Sequence, residues 1–299
     1  MARTYNDLYL DMRQRLLGSG VAMASLEARE IIRHATGRNR AALARDRHFY
    51  VPPEAEAAAM VLLERRLAGE PIAYIVGEWE FFGLTFVVNP DVLIPRVDTE
   101  VLADAAIAAA RACGPGARVL DLCAGSGCVG LAVAVYAAGC RVVLGDVSDL
   151  ALKVARRNVR RHDLSARVAC MNVDALASAP ASLGAFDVLV CNPPYVPDEE
   201  WKNLDHSVRD YEPRLALEGG PDGLQFYRSV VAGWRPALRR GGRLLFECGV
   251  GQAEAVRTLL YREAYGGIET LRDTGGIERV VMGSPVWNEA IREGIAEIG

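Results

Sequence analysis

From residue 118 onward, short apolar segments alternate with longer amphipathic ones, and this alternation restricts the fold more than any other feature of the chain. The short segments are rich in Val and Leu and are predicted strands, whereas the longer segments are predicted helices. Strands that alternate with helices form a mostly parallel sheet covered by helices on both faces. The sequence therefore predicts an α/β fold for this region.

The predicted elements run from residue 99 to residue 282. The predicted strands are Arg118–Leu122, Arg141–Gly145, Val168–Met171, Val188–Cys191, Arg243–Cys248, Ile268–Leu271 and Arg279–Met282. The predicted helices are Thr99–Cys113, Cys128–Ala138, Asp149–Arg161, Leu224–Arg240 and Gln252–Tyr265. A short amphipathic helix is predicted over residues 284–299.

The first 75 residues are alanine-rich and predicted to be helical. One helix is indicated by apolar residues at helical spacing, namely Leu8, Met12, Leu16 and Leu17. We expect Ser25 to cap a second helix and Pro53 to lie in the first turn of a third. Aromatic and β-branched residues around Gly83 predict a β-hairpin. We therefore predict a helical, partner-binding domain over residues 1–75, a hairpin linker over 76–95 and a third domain over 96–299.

Composition excludes several classes of protein. The net charge of −4 does not favour binding driven by nucleic-acid phosphates. The longest apolar segment, Val129–Cys140, is too short to span a bilayer, and no signal peptide is apparent near the N-terminus. The seven cysteines form no Cys-x-x-Cys pair, so no structural metal is expected. We expect a cytoplasmic protein with reduced thiols and no membrane contact.

The fourth strand of the α/β region ends in the tetrapeptide Asn192-Pro193-Pro194-Tyr195. Proline has no backbone N–H, and Pro193 also keeps Asn192 out of the helical region. The strand therefore ends in a rigid tip that carries one carboxamide and one aromatic ring. Such a tip is suited to holding a planar amide or amine.

Acidic residues lie at or just beyond the carboxyl ends of the first three strands of this region. Asp121 precedes a turn at Gly125–Gly127 that matches neither the dinucleotide nor the P-loop pattern, and its charge favours a cationic amine over a phosphate. Asp146 ends the second strand, where a carboxylate can accept both ribose hydroxyls. After the third strand, Asp174 can accept from an adenine amino group while the Ala175 N–H meets the ring. Amine, ribose and adenine in this order describe S-adenosylmethionine.

Asn192-Pro193-Pro194-Tyr195 resembles the motif of methyltransferases that act on planar nitrogens, either adenine N6 or glutamine side chains. The rest of the chain resembles the release-factor glutamine N5-methyltransferases (the PrmC/HemK family). This resemblance covers most of residues 70–283, and over residues 1–70 only the helical character matches. It rests on six further segments: Tyr74–Gly77, Glu80–Leu84, Val92–Glu100, Glu212–Leu217, Gly220–Leu224 and Glu247–Gln252.

The resemblance implies a Rossmann-like class I S-adenosylmethionine-dependent methyltransferase domain, joined by the β-hairpin to the small N-terminal helical bundle. It implies that the substrate is the glutamine of a Gly-Gly-Gln motif in peptide-chain release factors. The expected cofactor-binding residues are Asp121, Cys123, Ala124, Gly125, Ser126, Gly127, Asp146, Asp174, Ala175 and Asn192. The expected substrate-binding residues are Asn192, Pro193, Pro194 and Tyr195, and the expected catalytic ones are Asn192, Pro193 and Tyr195.

Two segments depart from the family pattern. Cys123-Ala124 stands where the family's cofactor loop has Gly-Thr, and Val97-Asp98 stands where the family has Pro-Glu. Both changes roughly keep size and charge, but Cys123 adds a Cβ beside the cofactor.

An amide nitrogen is a poor nucleophile, and no strong base adjoins Asn192 in the sequence. We therefore expect catalysis by positioning, in which the Asn192 side-chain carbonyl and the Pro193 backbone carbonyl accept the two amide hydrogens. Tyr195 is expected to pack on the amide. Glu247 is expected either to line the pocket or to make a structural hydrogen bond, and Arg96 and Glu100 are expected to hold the linker.

Three other functions stay open at this point. The chain can be a ribosomal-protein glutamine methyltransferase, an adenine-N6 nucleic-acid methyltransferase or a binding module without activity. The acidic composition disfavours the nucleic-acid enzyme, and the intact tetrapeptide disfavours the inactive module. We expect release factors as partners, no direct nucleic-acid contact and a monomer.

Overall fold

A computed structural model describes residues 2–287 of the chain. Its contacts divide the described residues into two compact units. The first, which we call the helical unit, runs up to Glu78 and also includes Asp205–Tyr211. The second, the sheet unit, contains Trp79–Leu204 and the described residues from Glu212 onward. The grouping of Asp205–Tyr211 with the N-terminal helices was not predicted from the sequence.

The elements are numbered in chain order. The α-helices are α1 (Tyr5–Gly18), α2 (Ala24–Thr36), α3 (Arg40–Arg45), α4 (Pro53–Leu67), α5 (Ile72–Val76), α6 (Glu100–Ala112), α7 (Cys128–Tyr136), α8 (Asp149–Arg161), α9 (His206–Arg209), α10 (Gln225–Gly233) and α11 (Ala253–Arg262). The strands are β1 (Glu78–Phe81), β2 (Leu84–Val87), β3 (Arg118–Leu122), β4 (Arg141–Asp146), β5 (Val168–Asn172), β6 (Phe186–Cys191), β7 (Leu238–Glu247), β8 (Tyr265–Arg272) and β9 (Glu278–Pro285).

In the helical unit, α1 begins at a reciprocal cap. The Thr4 hydroxyl accepts from the Asp7 N–H at 3.2 Å, and the Asp7 carboxylate accepts from the Thr4 N–H at 3.0 Å. Leu8, Met12 and Leu16 are buried at a spacing of four residues. Leu17 also lies in α1, but being one residue further along the helix turns its side chain away from this face, and it is 50% exposed.

The predicted cap of α2 was wrong. The helix begins at Ala24, so Ser25 already lies in its first turn, and Met23 precedes the helix without a side-chain cap. The Ser25 hydroxyl instead accepts a hydrogen bond from the Arg13 guanidinium at 2.9 Å. Pro53 does open α4, where the missing proline N–H costs no helical hydrogen bond.

The sheet unit contains a seven-stranded sheet in the order β5-β4-β3-β6-β7-β9-β8. Strands β3 to β7 are parallel, and β9 and β8 extend the sheet in antiparallel fashion. One face packs on a cluster that includes α6 and α7, and the other packs on α10 and α11. All seven predicted strands are present. The hairpin predicted around Gly83 forms a separate two-stranded sheet, β1-β2.

The predicted helix Leu224–Arg240 was wrong in its second half. Helix α10 ends at Gly233, a 3₁₀ turn follows at Arg235–Ala237, and β7 begins at Leu238. Pro236 explains the end, because it lacks an N–H and its ring clashes with the carbonyl one turn earlier. Of the predicted tail helix over 284–299, Ser284 and Pro285 end β9 instead, and residues 288–299 lie outside the described residues.

The order of the strands fixes where a ligand can bind. The chain moves outward from β3 to β4 and β5 and then returns to β6, which pairs with β3 in the register Leu122 to Cys191. The topological switch point therefore lies between β3 and β6, at their carboxyl ends. Within the described part of the chain, no helix is long and apolar enough to cross a membrane.

Candidate active site

A cavity of about 280 Å³ opens at the carboxyl ends of β3 to β6. Its walls come from the loops that follow these strands and from the segment between Asp91 and Thr99. Most of the expected site residues line it, namely Asp121, Cys123, Ala124, Gly125, Ser126, Asp146, Asp174, Ala175, Asn192 and Pro194. Gly127, Pro193 and Tyr195 are not among its lining residues.

The loop between β3 and α7 has a left-handed backbone at three positions. Gly125 and Gly127 have φ values of 54° and 81°, which glycine adopts without steric cost. Cys123 has φ = 62° although it carries a Cβ. The loop therefore keeps a conformation suited to glycine at a position where this chain has cysteine. The Gly125 N–H donates to the Asp146 carboxylate at 2.8 Å, which joins this loop to the end of β4.

Asn158 on α8 holds the same loop, a role that was not predicted from the sequence. This side chain is fully buried. Its Nδ2 donates to the carbonyls of Val87 and Ser126 at 3.0 and 2.9 Å, and its Oδ1 accepts from the Val87 N–H at 2.7 Å. One carboxamide thus connects the hairpin strand β2 to the cavity loop. Its position in an amphipathic helix gave no local signal of this role.

Asp121 is a buried carboxyl group in the wall of the cavity. It is 2% exposed, and its Oδ2 accepts the Gly130 N–H at 2.7 Å. Burial raises the pKa of Asp121 to about 7, and the nearby charge of Asp146 adds to this effect. Gly130 makes the close approach possible, since a Cβ there would come within 2.9 Å of the same carboxylate oxygen. A cation in the cavity would restore the ionised form of Asp121.

The carboxylates of Asp146 and Asp174 accept hydrogen bonds from backbone N–H groups of the cavity loops. Asp146 accepts from the N–H groups of Gly125 and Ser148, and burial raises its pKa. Asp174 accepts from the Leu176 N–H at 2.8 Å. The Ala175 carbonyl accepts from the Ser229 hydroxyl and from the Trp234 indole N–H, at 2.9 and 3.2 Å. The loops after β4 and β5 are therefore fixed by hydrogen bonds at the cavity wall.

The tip after β6 is enclosed by glycines. The Tyr195 carbonyl accepts from the Gln252 side chain at 2.9 Å. A Cβ at Gly219 would lie 2.7 Å from Tyr195 Cα, and one at Gly249 would lie 3.0 Å from the tyrosine ring. Only residues without side chains can pack this closely, so the glycines allow the rigid tip to be buried on several sides.

The Asn192 carboxamide has two neighbours that the sequence did not identify as a group. Its Nδ2 donates to the Thr99 hydroxyl at 3.4 Å. Burial raises the pKa of Glu247, at the end of β7, to about 7, and the neighbouring side chains of Thr99 and Asn192 act against this rise. Thr99 also lines the cavity. In the sequence, these contacts were indicated only by the position of Glu247 at the end of a predicted strand.

The segment before α6 is held by two acidic residues. Glu212 accepts from the Ile94 N–H at 3.1 Å and forms an ion pair with Arg96. Glu100 accepts from the Phe82 N–H at 2.7 Å in the turn of the hairpin. Both Arg96 and Glu100 thus hold the linker segment, and Arg96 also lines the cavity. Among residues 2–287, no group of three or more His, Cys, Asp or Glu side chains is arranged to bind a metal.

Comparisons with known proteins agree with this architecture. Residues 7–77 match the family model of the PrmC N-terminal domain, and residues 98–209 match that of the methyltransferase small domain. Among solved structures, the hMettl16 catalytic domain in complex with an RNA hairpin has a TM-score of 0.54 and 16% identity, covering 79% of this chain and 83% of that one. This likeness concerns the fold, which is that of class I methyltransferases, as the sequence predicted.

Two curated relatives align over nearly the whole chain. The release factor glutamine methyltransferase of Nitratidesulfovibrio vulgaris is 38% identical over 284 residues, covering 93% of this chain and 94% of that protein. The release factor glutamine methyltransferase of Geobacter sulfurreducens is 41% identical over 271 residues, covering 91% of this chain and 93% of that protein. Because identity at this level extends over both units, the chain belongs to the family of release factor glutamine methyltransferases.

Proposed function

We propose that this enzyme transfers the methyl group of S-adenosylmethionine to the side-chain nitrogen of the glutamine in the Gly-Gly-Gln motif of peptide-chain release factors. One observation carries the proposal. A single cavity is lined by acidic residues at or just beyond the carboxyl ends of β3, β4 and β5 and by Asn192 and Pro194 after β6. A methyl donor and a planar acceptor can therefore meet at the switch point of the sheet, where ligands of such folds bind.

The residues of the cavity suit the cofactor. Asp121 is a buried acid whose raised pKa would be lowered by a cationic amine or sulfonium. Asp146 lies at the end of β4, where a ribose is expected, and the loop of Asp174 and Ala175 borders the same cavity. When bound, the cofactor supplies an electrophilic methyl group on a sulfonium. The loop from Cys123 to Ser126 provides backbone close to it.

Asn192 acts on the substrate by orientation. Its Oδ1 accepts one hydrogen of the substrate amide, and the Pro193 backbone carbonyl accepts the other. The amide nitrogen is thereby aimed at the methyl group. The negative ends of the two carbonyl dipoles also stabilise the positive charge that develops on this nitrogen. Tyr195 packs on the amide plane. The lining of the cavity by Asn192 supports this role, and the roles of Pro193 and Tyr195 rest on the family motif.

The helical unit binds the release factor in this proposal. It contains a cleft of about 490 Å³ formed by residues of α1, α2 and α3 together with Arg47. The cleft combines aromatic and basic side chains, and the Arg29 guanidinium lies 5.2 Å from the centre of the Tyr9 ring. Such surfaces are enriched at protein–protein contacts. The enzyme acts as a monomer in the cytoplasm, where peptide-chain release takes place.

The proposal is tested by incubating a purified, unmethylated release factor with the enzyme and S-adenosylmethionine. Mass spectrometry is expected to find one added methyl group on the Gly-Gly-Gln glutamine and none on a factor with Glu at that position. Labelled methyl transfer to a ribosomal-protein glutamine or to DNA, with none to the factor, would contradict the proposal.

The same assay tests Asn192. Asn192→Ala is expected to lower kcat by roughly 100-fold or more, as does removal of one oriented polar group from other active sites. Cofactor affinity, measured by calorimetry, is expected to stay within about threefold, because other residues form most of the cofactor wall. Asn203→Ala, an exposed asparagine, is the matched control. A near-normal kcat for Asn192→Ala would overturn the role of this carboxamide.

A further inference from the structure

Glu247 is a buried carboxyl group that the proposed reaction has not yet used. It ends β7 and is 2% exposed. Its Oε2 is buried and has no hydrogen-bond partner among the described residues. Burying a carboxylate with an unsatisfied oxygen is costly. A merely structural role is better served by glutamine or an apolar residue, so the position of Glu247 requires another explanation.

The contacts of Glu247 lead directly to the substrate-binding tip. The Thr99 hydroxyl and the Asn192 carboxamide neighbour its carboxylate, and both act to lower its pKa. An ionised carboxylate can only accept hydrogen bonds, so the Thr99 hydroxyl can interact with it only as a donor. The Thr99 oxygen is then free to accept, and it accepts from Asn192 Nδ2 at 3.4 Å. Every donor of this group therefore points towards the negative charge.

This arrangement decides which end of the Asn192 carboxamide is available to a ligand. With Nδ2 turned towards Thr99 and Glu247, Oδ1 is the end left for the substrate. The opposite orientation would place Nδ2 against the N–H groups of a substrate amide, where two donors face each other without an acceptor. The two orientations differ little in shape, so packing alone does not select between them. The charge on Glu247 does select.

We propose that Glu247, acting with Thr99, is a positioning residue that orients the Asn192 carboxamide with its oxygen towards the substrate amide. The inference rests on the proposed function, because it concerns the same carboxamide. It goes beyond that function in assigning the orientation to a carboxylate behind the tip, outside the residues that line the cavity. Protonation of the Glu247 carboxylate is therefore expected to lower the rate of methyl transfer.

The protonation state of Glu247 depends on its surroundings. Burial raises its pKa to about 7, Thr99 and Arg279 oppose the rise, and Asp98 adds to it. The remaining titratable groups around it are Cys128, Tyr195, Tyr227 and Cys248, whose pKa values are all raised by burial. These four stay neutral near pH 7. Ionisation of Glu247 in this range is therefore opposed by burial and Asp98 and favoured by Arg279.

The protonated carboxyl group has a donor of its own. It can donate to Asn192 Oδ1 and so stabilise the inverted carboxamide. The productive orientation is fully present above the pKa of Glu247 and is lost as pH falls through about 7. The rate at saturating cofactor and substrate is therefore expected to show an acid limb in this range.

Glu247→Gln tests the inference because it keeps the shape and removes the charge. Glutamine can present either a donor or an acceptor to Asn192, so both orientations become populated. We expect kcat at pH 8 to fall by roughly tenfold, the effect of losing one charge-assisted hydrogen bond. We also expect the acid limb of kcat to disappear, while the cofactor Kd and the KM for the release factor change by less than about threefold. Glu254→Gln, the same substitution at an exposed site on α11, is the control and should keep the wild-type profile.

The outcomes separate the two proposals. Absence of factor methylation by the wild-type enzyme would contradict the proposed function itself. Methylation by the wild-type enzyme, with an unchanged acid limb in Glu247→Gln, would overturn the inference and assign the limb to another group such as Asp121. A wild-type kcat that is flat between pH 6 and 8 would overturn it without any variant, so the test does not depend on the folding of Glu247→Gln.

Discussion

Cys123 shows how a single residue can be held in a conformation that its side chain disfavours. Its φ of 62° lies in the left-handed region, where a residue with a Cβ costs roughly 1–2 kcal/mol relative to glycine. The side chain packs against the cluster beneath β3 and β6 and also lines the cavity. The loop between β3 and α7 therefore retains its glycine-like shape at the expense of some stability.

Replacement of Cys123 by glycine and by alanine measures this strain. We expect Cys123→Gly to be more stable than Cys123→Ala by about 1 kcal/mol, because both lose the thiol but only glycine relieves the left-handed backbone. The free energy of unfolding from chemical denaturation checks the difference. The same pair of substitutions at Cys113, which has no such backbone, should favour alanine instead. Equal stability of the two Cys123 variants would contradict the argument.

Residues at strand ends were accessible to prediction, and their supporting contacts were not. Asp121, Asp146 and Asn192 could be found because parallel strands bring their carboxyl ends to one edge, so chemical type and position along the chain suffice. Asn158 and its partner Val87 are 71 residues apart, and their bond exists only because α8 packs beside the hairpin. The contact of Thr99 with Asn192 spans 93 residues. No local pattern encodes such pairs.

At the scale of elements, the parallel strands were the most predictable part of the fold. Strands buried on both faces are short apolar segments, and both ends of β3 were predicted to the residue. The region after α10 was mispredicted because helical periodicity continues past Gly233, whereas Pro236 prevents the backbone from following it. The membership of Asp205–Tyr211 in the helical unit was missed for a different reason. Short polar segments contain no apolar pattern that indicates what they pack against.

Three elements, namely α8, β2 and the loop after β3, depend on the one carboxamide of Asn158. Asn158→Ala leaves the N–H and the carbonyl of Val87 and the carbonyl of Ser126 without this partner. We expect the free energy of unfolding to fall by roughly 2–4 kcal/mol, because buried polar groups lose their hydrogen bonds. Cofactor affinity should weaken as well, since Ser126 lies in the cavity wall.

Denaturation and calorimetry measure both effects of Asn158→Ala. Asn172→Ala is the control, since this asparagine also hydrogen-bonds a backbone carbonyl but is exposed, and it should change stability by less than about 0.5 kcal/mol. A loss in Asn158→Ala no larger than in the control would show that water replaces the missing bonds.

At the scale of the whole molecule, buried acids tie stability to pH. Asp121 and Glu247 have pKa values raised to about 7 by burial, and the pKa of Asp146 is raised in the same way. A group whose pKa is higher in the folded state contributes stability that is complete below its unfolded pKa and is lost as pH rises through the folded value. Exposed acids with lowered pKa values, such as Asp205 and Asp222, act in the opposite sense at low pH. The contribution of these buried acids should therefore be greatest near pH 4 and should fall as pH rises through about 7.

Equilibrium denaturation at pH 5.5 and 8.5 tests this dependence. We expect the free energy of unfolding to be lower at pH 8.5 by roughly 4 kcal/mol, about 2 for each of Asp121 and Glu247, because both are ionised by pH 5.5 in the unfolded state but only above about 7 in the folded state. The double variant Asp121→Asn/Glu247→Gln should lose much less over the same range, because both groups can no longer ionise. Asp222→Asn, at an exposed acid, should keep the wild-type dependence. An equally steep loss in the double variant would rule out these acids as its cause.

The segment Asp205–Tyr211 has a consequence for any attempt to exchange modules between relatives. Within the helical unit, the Tyr211 hydroxyl donates to the Ala68 carbonyl at 3.0 Å, and a Cβ at Gly69 would lie 3.0 Å from the His206 ring. This unit is therefore assembled from two stretches of chain, separated by more than a hundred residues of the other unit. A chimera made by one crossover near Glu78 would combine the N-terminal helices of one parent with the seven residues Asp205–Tyr211 of the other. The contact between the two segments is preserved only when both come from the same parent. Recombination between distant relatives must therefore exchange the two segments together.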